Sequence, residues 1–224
     1  MTKQNLTDIT IVLDKSSSMA PDKNKTRDAI NEFIKGQKNA NGECRISLFT
    51  FSADDRYDKD WLQTIWEGIN IKEISELSPE SYQPNGNTAL YDATGLIIEK
   101  TGKRLAAMKE EDRPSKVLFV TQSDGQENSS RIFNLQKLKE KIAVQENTYS
   151  WNFLFLGADF STKEQTSALG LEADRSYDFS KTNFVASYKG LSRAVVDYRC
   201  SGSGTKLSRG FTDVVKTYAD QESN

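Results

Sequence analysis

The chain has 224 residues, 36% of them apolar and 28% charged, with 30 basic against 32 acidic side chains and no histidine. That length suits one large α/β domain or two small ones and is enough to bury a core without staples. A net charge of −2 gives no basis for polyanion binding or a membrane-surface role. The missing imidazole excludes a Ser-His-Asp or Cys-His nucleophile, a histidine-ligated zinc and an imidazole pH switch.

Cys44 and Cys200 are far apart and neither belongs to a CxxC. They admit one disulfide or two reduced, packed thiols, and the second is the reading taken. Met1 to Thr7 is polar and the first apolar run is short, so no signal peptide is expected. No apolar run reaches the ~18 residues of a membrane span. A soluble, cytoplasmic protein is therefore expected.

Leu6 to Leu13 is apolar and β-branched and reads as a first strand ending at Asp14. Pro21 suits the first turn of a helix whose stripe is Ala29, Ile30, Phe33 and Ile34, closed by Asn41-Gly42. Arg45 to Ser52 is a second strand. Asp58 to Asp60 reads as a tight turn into a short antiparallel strand, Trp61 to Trp66. One helical turn is expected near Ile71 to Ile74, and Pro84 to Asn87 is loop chemistry. Thr88 stands at an N-cap position before a long amphipathic helix to about Met108.

Lys116 to Thr121 carries the unbroken apolar run of a strand covered on both sides. Ile132, Leu135, Leu138 and Ile142 mark the next helix, and Trp151 to Leu156 a further central strand. A short helix to about Leu169, a strand around Tyr177 to Phe179 and a helix from Asn183 to Tyr198 complete the expected core. The alternation predicts a Rossmann-like, doubly wound, mostly parallel α/β sheet of about six strands with one antiparallel edge strand and helices on both faces. The division expected is one domain over residues 1–200, then a linker and a C-terminal helix over 201–224. That helix packs on the domain or on a partner, its own domain being the reading preferred.

In such sheets ligands sit outside the carboxyl ends of the strands, near the switch in strand order. Three segments bring oxygen donors to that edge: Asp14, Ser16 and Ser18 after the first strand, Thr88 at a helix start, and Asp124 after the fourth strand. Taken alone, Asp14 to Ser18 is as well explained by a strand end and a helix cap. Five oxygens from three loops, with two carboxylates and no nitrogen or sulfur, suit Mg2+ or Mn2+ and not zinc or copper.

From about Thr7 to Arg199 the sequence resembles the von Willebrand factor A-domain family. The Asp-x-Ser-x-Ser signature of its metal-ion-dependent adhesion site stands as Asp14 to Ser18. The distal threonine matches Thr88 within Gly86 to Ala93, and the distal aspartate matches Asp124 within Ser123 to Ser130. Phe153 to Ala158 and Ser192 to Ala194 are similar to bacterial and phage stand-alone members. The resemblance implies that Ser16, Ser18 and in one state Thr88 bind the metal directly. Asp14 and Asp124 act through waters or as alternating ligands, and a partner's acidic side chain completes the shell. Ser17 stands where the family usually has glycine and Ser123 where it usually has threonine; neither change removes a ligand.

Asp92, one turn into its helix, suits the helix dipole or helps the metal from behind. Asp159 reads as a cap, Glu127 and Asn128 as solvated surface in preference to a rim of the site, Trp151 as core, and Trp61 and Trp66 as interface candidates. The function expected is a non-catalytic, Mg2+/Mn2+-dependent protein-binding module, with neither nucleic acid nor membrane as partner. Two alternatives stand beside it: a metal-dependent phosphotransferase or phosphohydrolase, and a host-interaction protein with a vestigial metal site. The first wants a second acid where Ser16 stands, or a glycine-rich nucleotide loop, and the chain has neither.

Overall fold

The computed structural model describes residues 2–54, 57–124, 126–157, 167, 169, 175–178, 184–202, 207 and 211–223. Its six strands are β1 (Lys3–Asp14), β2 (Glu43–Phe51), β3 (Leu62–Asn70), β4 (Pro114–Gln122), β5 (Asn152–Gly157) and β6 (Ser176–Asp178). They lie in the order β3-β2-β1-β4-β5-β6. All neighbours are parallel except β2 and β3. The doubly wound sheet with one antiparallel edge strand is therefore as expected.

β1 is central because both of its faces are apolar enough to be covered, and every residue from Leu6 to Asp14 is buried. Side chains alternate across it. Ile9, Ile11 and Leu13 enter one core with Ile30, Phe33 and Leu191. Val12 faces the other, with Phe49, Leu90, Ile97, Phe119 and Phe153. The first core is roofed by α1 (Lys23–Asn39) and α4 (Phe184–Cys200), the second by α2 (Leu90–Ala106) and α3 (Leu135–Tyr149). On the second face Asp8 is buried, and it accepts both terminal nitrogens of the Arg104 guanidinium at 2.8 and 2.9 Å. A buried carboxylate is tolerated there because its charge is matched in fork geometry.

Several boundaries differ from the sequence reading. Pro21 lies in a 310 helix over Ser17–Asp22, ahead of α1. The turn expected at Asp58 to Asp60 is present, closed by the Trp61 amide on the Asp58 carbonyl at 3.3 Å, but the whole β2–β3 connection is longer and spans residues 52–61. Ile132 is 49% exposed and precedes α3, which Asn134 caps by accepting from the Lys137 amide. Trp151 is core, as expected, while Trp61 and Trp66 are half-buried and pack against the two different cores. Both cysteines are free, but Cys200 is exposed and only Cys44 is packed. Most of the expected short helix to Leu169, together with Asp159, lies outside the described residues; Leu169 itself is buried in the second core.

The helix α5 (Phe211–Ser223) packs on α4. Gly190 makes the close crossing possible, since a Cβ there would stand 2.4 Å from the Val215 carbonyl oxygen. Tyr218 donates to Asp197 Oδ2 at 2.6 Å, and the Arg193 guanidinium lies 4.2 Å from its ring centroid. Among the described residues no helix is long and apolar enough to cross a membrane.

Candidate metal centre

Asp14 closes β1 between β2 and β4, where the strand order reverses. The loop that follows is tied down by backbone bonds on both sides. The Lys15 amide donates to the Phe51 carbonyl at 2.7 Å, the Asn85 amide to the Lys15 carbonyl at 2.8 Å, and the Ser17 amide to the Gly86 carbonyl at 3.0 Å. Gly86 has φ +67, and a Cβ on it would lie 2.7 Å from the Ala53 carbonyl oxygen, so this contact needs glycine. Tyr82, itself buried, donates its hydroxyl to the Asp14 carbonyl at 2.7 Å.

Within that frame the side chains converge. Asp14 Oδ1 accepts the Ser16 amide at 2.7 Å, and Oδ2 accepts the Ser123 hydroxyl at 2.5 Å. The Ser16 and Ser18 hydroxyls are 3.0 Å apart, and Ser18 donates to Asp124 Oδ1 at 2.6 Å. Four of the five candidate residues thus form one hydrogen-bonded chain from β1 to the loop after β4. Thr88 reaches the same edge through its backbone. Its amide donates to Asn128 Oδ1 at 3.0 Å and its carbonyl accepts the Asn128 amide at 3.1 Å.

The electrostatics favour a cation. Burial pushes the Asp14 carboxyl up to about 6 from 3.8; the Ser123 and Ser16 hydrogen bonds oppose this, and the charge of Asp124 adds to it. Among the described residues neither Asp14 nor Asp124 has an ammonium or guanidinium in ion-pair contact. Lys15 points elsewhere, to Gln63 Oε1. Two converging carboxylates, one fully buried, with hydroxyls between them and only oxygen on offer, fit a hard divalent cation. No group of three or more His, Cys, Asp and Glu side chains suited to a metal occurs among the described residues. The candidate set contains only two acids, and its remaining donors are hydroxyls.

Three residues read differently from the sequence turn out to hold the loops. Asp92 is fully buried and accepts the amides of Arg131, Ile132 and Phe133 at 2.7, 2.9 and 2.6 Å, and the Tyr57 hydroxyl at 2.8 Å. It is a clamp on the segment after Asp124. Glu127 accepts the amides of Tyr91, Ser129 and Ser130, and Asn128 holds Thr88, so neither is idle surface. These bonds also correct the capping expectation. α2 begins at Leu90 behind Ala89, with no side-chain cap from its own segment. Its first amides are taken by Glu127 and by the Ser130 hydroxyl, which accepts from Asp92 at 3.0 Å. The helix start is capped from the loop after β4, a partnership that spacing within the helix cannot reveal.

The model of the von Willebrand factor type A domain matches residues 8–194. Among solved structures, the pilus adhesin SpaC from Lactobacillus rhamnosus GG superposes with TM-score 0.64 at 14% identity, over 88% of this chain and 31% of that one. Proximal thread matrix protein 1 from the mussel byssus gives 0.60 at 13%, over 88% and 49%. Manganese-loaded TRAP from Plasmodium vivax gives 0.50 at 14%, over 81% and 71%. At such identities the likeness is one of fold, and the chain spans a third to a half of the first two proteins. No curated protein matches the sequence.

Proposed function

The chain belongs to the von Willebrand factor type A domain family, and from that footing we propose that it is a non-catalytic module that grips a partner's acidic side chain through Mg2+ or Mn2+. The observation that carries this reading is the chain Asp14–Ser16–Ser18–Asp124, in which a buried carboxylate meets a second one with no cationic side chain among the described residues in ion-pair contact with either. Ser16, Ser18 and Thr88 supply hydroxyl ligands, and Asp14 and Asp124 supply the charge. The metal, when bound, acts as a Lewis acid that a carboxylate of the partner can cap. Ser123 keeps Asp14 Oδ2 oriented, and Tyr82 holds the Asp14 backbone.

What speaks against catalysis is the chemistry of the loop. A phosphotransferase on this kind of sheet wants an acid two residues after Asp14, and Ser16 instead spends its hydroxyl on Ser18. Isothermal titration of Mg2+ into wild type and Asp14→Ala is the direct test. Saturable binding in wild type and none in the variant supports the reading. Equal heats in both, or no binding in either, removes it.

A further inference from the structure

Thr88, the candidate donor just ahead of α2, is held from two sides by segments remote from it in sequence. On one side Ala53 of the β2–β3 connection bridges to Asn87. Its amide donates to the Asn87 carbonyl at 2.9 Å, and its carbonyl accepts the Asn87 amide at 2.6 Å. On the other side Asn128 of the loop after β4 accepts the Thr88 amide on Oδ1 at 3.0 Å and donates its own amide to the Thr88 carbonyl at 3.1 Å. Tyr57 joins the two. It lies in the β2–β3 connection, and its hydroxyl stands 2.8 Å from Asp92 Oδ2 and 2.7 Å from the Ser129 carbonyl oxygen. A phenol carries one proton, so an acceptor on α2 and one on the loop after β4 share it. Ser129 in turn donates its hydroxyl to Asn128 Oδ1 at 2.7 Å, the same oxygen that holds Thr88.

The Tyr57 ring packs 4.7 Å from the Trp61 ring, centroid to centroid, and the Arg131 guanidinium lies 4.8 Å from its own centroid. Its backbone has φ +52, in the left-handed region that a bulky residue takes up only when its surroundings hold it there. We propose that Tyr57 is a positioning residue for the metal site, and that docking of the β2–β3 connection through its hydroxyl regulates cation affinity. With the hydroxyl engaged, the connection, α2 and the loop after β4 form one hydrogen-bonded body around Thr88. With it released, the left-handed backbone of Tyr57 favours undocking, Ser129 and Asn128 lose their outer support, and Thr88 loses its fixed place. The coupling is reciprocal. A cation that needs Thr88 in place stabilises the docked connection by the same factor by which undocking weakens the cation.

The regulation rests on the proposed metal function; the positioning of Thr88 does not. The test compares 15N-labelled full-length wild type with Tyr57→Phe, which keeps the ring and removes only the hydroxyl. Tyr198→Phe is the control: it loses a hydroxyl bonded to Asn152 at 2.9 Å, at the opposite end of the sheet. In EDTA the Thr88 and Asn128 amide resonances are expected to move or broaden in Tyr57→Phe and to stay in place in Tyr198→Phe. In titration calorimetry Mg2+ is expected to bind Tyr57→Phe about tenfold more weakly than wild type, as for a disturbed outer partner of a metal site, and Tyr198→Phe as wild type does. By reciprocity, Mg2+ slows hydrogen exchange of the wild-type Tyr57 amide, which donates to the Asp54 carbonyl at 3.2 Å, by about the same factor. Unmoved Thr88 and Asn128 resonances in Tyr57→Phe overturn the positioning role. Equal Mg2+ affinity in wild type and Tyr57→Phe, an equal loss in Tyr198→Phe, or Tyr57 exchange indifferent to Mg2+ overturns the regulation. No Mg2+ binding to wild type removes the metal reading and the regulation with it, and the resonances in EDTA still decide the positioning role.

Discussion

Ser18 Oγ donates a 2.6 Å hydrogen bond to Asp124 Oδ1 across 106 positions of sequence, and with the Ser123–Asp14 bond it joins the two halves of the site. Its short length reflects a charged acceptor. Removing the hydroxyl takes away a proposed ligand and the tether of Asp124 together. Ser18→Ala is expected to weaken Mg2+ binding about 10–100-fold, the usual range for disturbed metal-site partners, while leaving the fold intact because Ser18 is exposed. Titration calorimetry with circular dichroism as the folding control checks both halves; unchanged affinity contradicts the assignment.

The raised pKa of Asp14 sets a pH dependence with a definite sign. The folded value of about 6 lies above the ordinary 3.8, so folding favours the protonated form. In metal-free protein this contribution is fully present below about pH 4 and lost as pH rises through about 6. Two units correspond to roughly 3 kcal/mol as an upper bound. Asp14→Asn, which cannot ionise, is expected to melt above wild type near pH 7.5 in EDTA and to match it near pH 4. Added Mg2+ reverses the order at the higher pH by binding the ionised carboxylate of wild type alone. Parallel melting curves for the two proteins in EDTA at both pH values argue against a desolvated Asp14.

Asp92 is expected to carry more stability than any proposed ligand, since it accepts four hydrogen bonds while fully buried. Truncation to Ala strands the amides of Arg131, Ile132 and Phe133 and the Tyr57 hydroxyl. Losing one partner of a buried, charged network costs about 3–5 kcal/mol. Urea unfolding of Asp92→Ala is expected to show that loss, with protease cleavage appearing first within residues 126–133. A loss under 1 kcal/mol denies the clamp.

Gly86 joins the first and second loops through the Ser17 amide on its carbonyl. Alanine there faces both φ +67 and the Ala53 carbonyl 2.7 Å from its Cβ, so the loop must shift. About 1–3 kcal/mol is expected to be lost. Because the Gly86 carbonyl holds the Ser17 amide, Mg2+ affinity is expected to fall with stability. Gly102→Ala, where a Cβ meets nothing within 4 Å, is the control and is expected to leave both unchanged.

Much of this architecture is written in local pattern. The uninterrupted apolar run of β4 declares a strand covered on both faces, and the stripes of α1 and α2 declare their buried sides, because burial follows side-chain period. Asp14, Ser16, Ser18, Thr88 and Asp124 could be picked out as candidates for one edge for a related reason: strands of an open sheet end at a common edge, so residues just past those ends are neighbours whatever their separation in the chain.

Other roles were hidden because they are relations between loops. Glu127 and Asn128 look like solvated residues until the loop after β4 is folded against α2, and Asp92 looks like a dipole complement until three amides close on it. The same holds for Lys15, a surface type of residue that tertiary packing buries against Gln63 beside a cavity.

By itself, then, the sequence determined the sheet, its helices and the oxygen donors at its edge, since periodicity and residue chemistry act locally. Only the tertiary structure decided which carboxylate is desolvated, which amides each acid satisfies and where the Lys15 side chain is buried against Gln63. Burial and hydrogen-bond partnership are properties of segments brought together, and no single segment carries them alone.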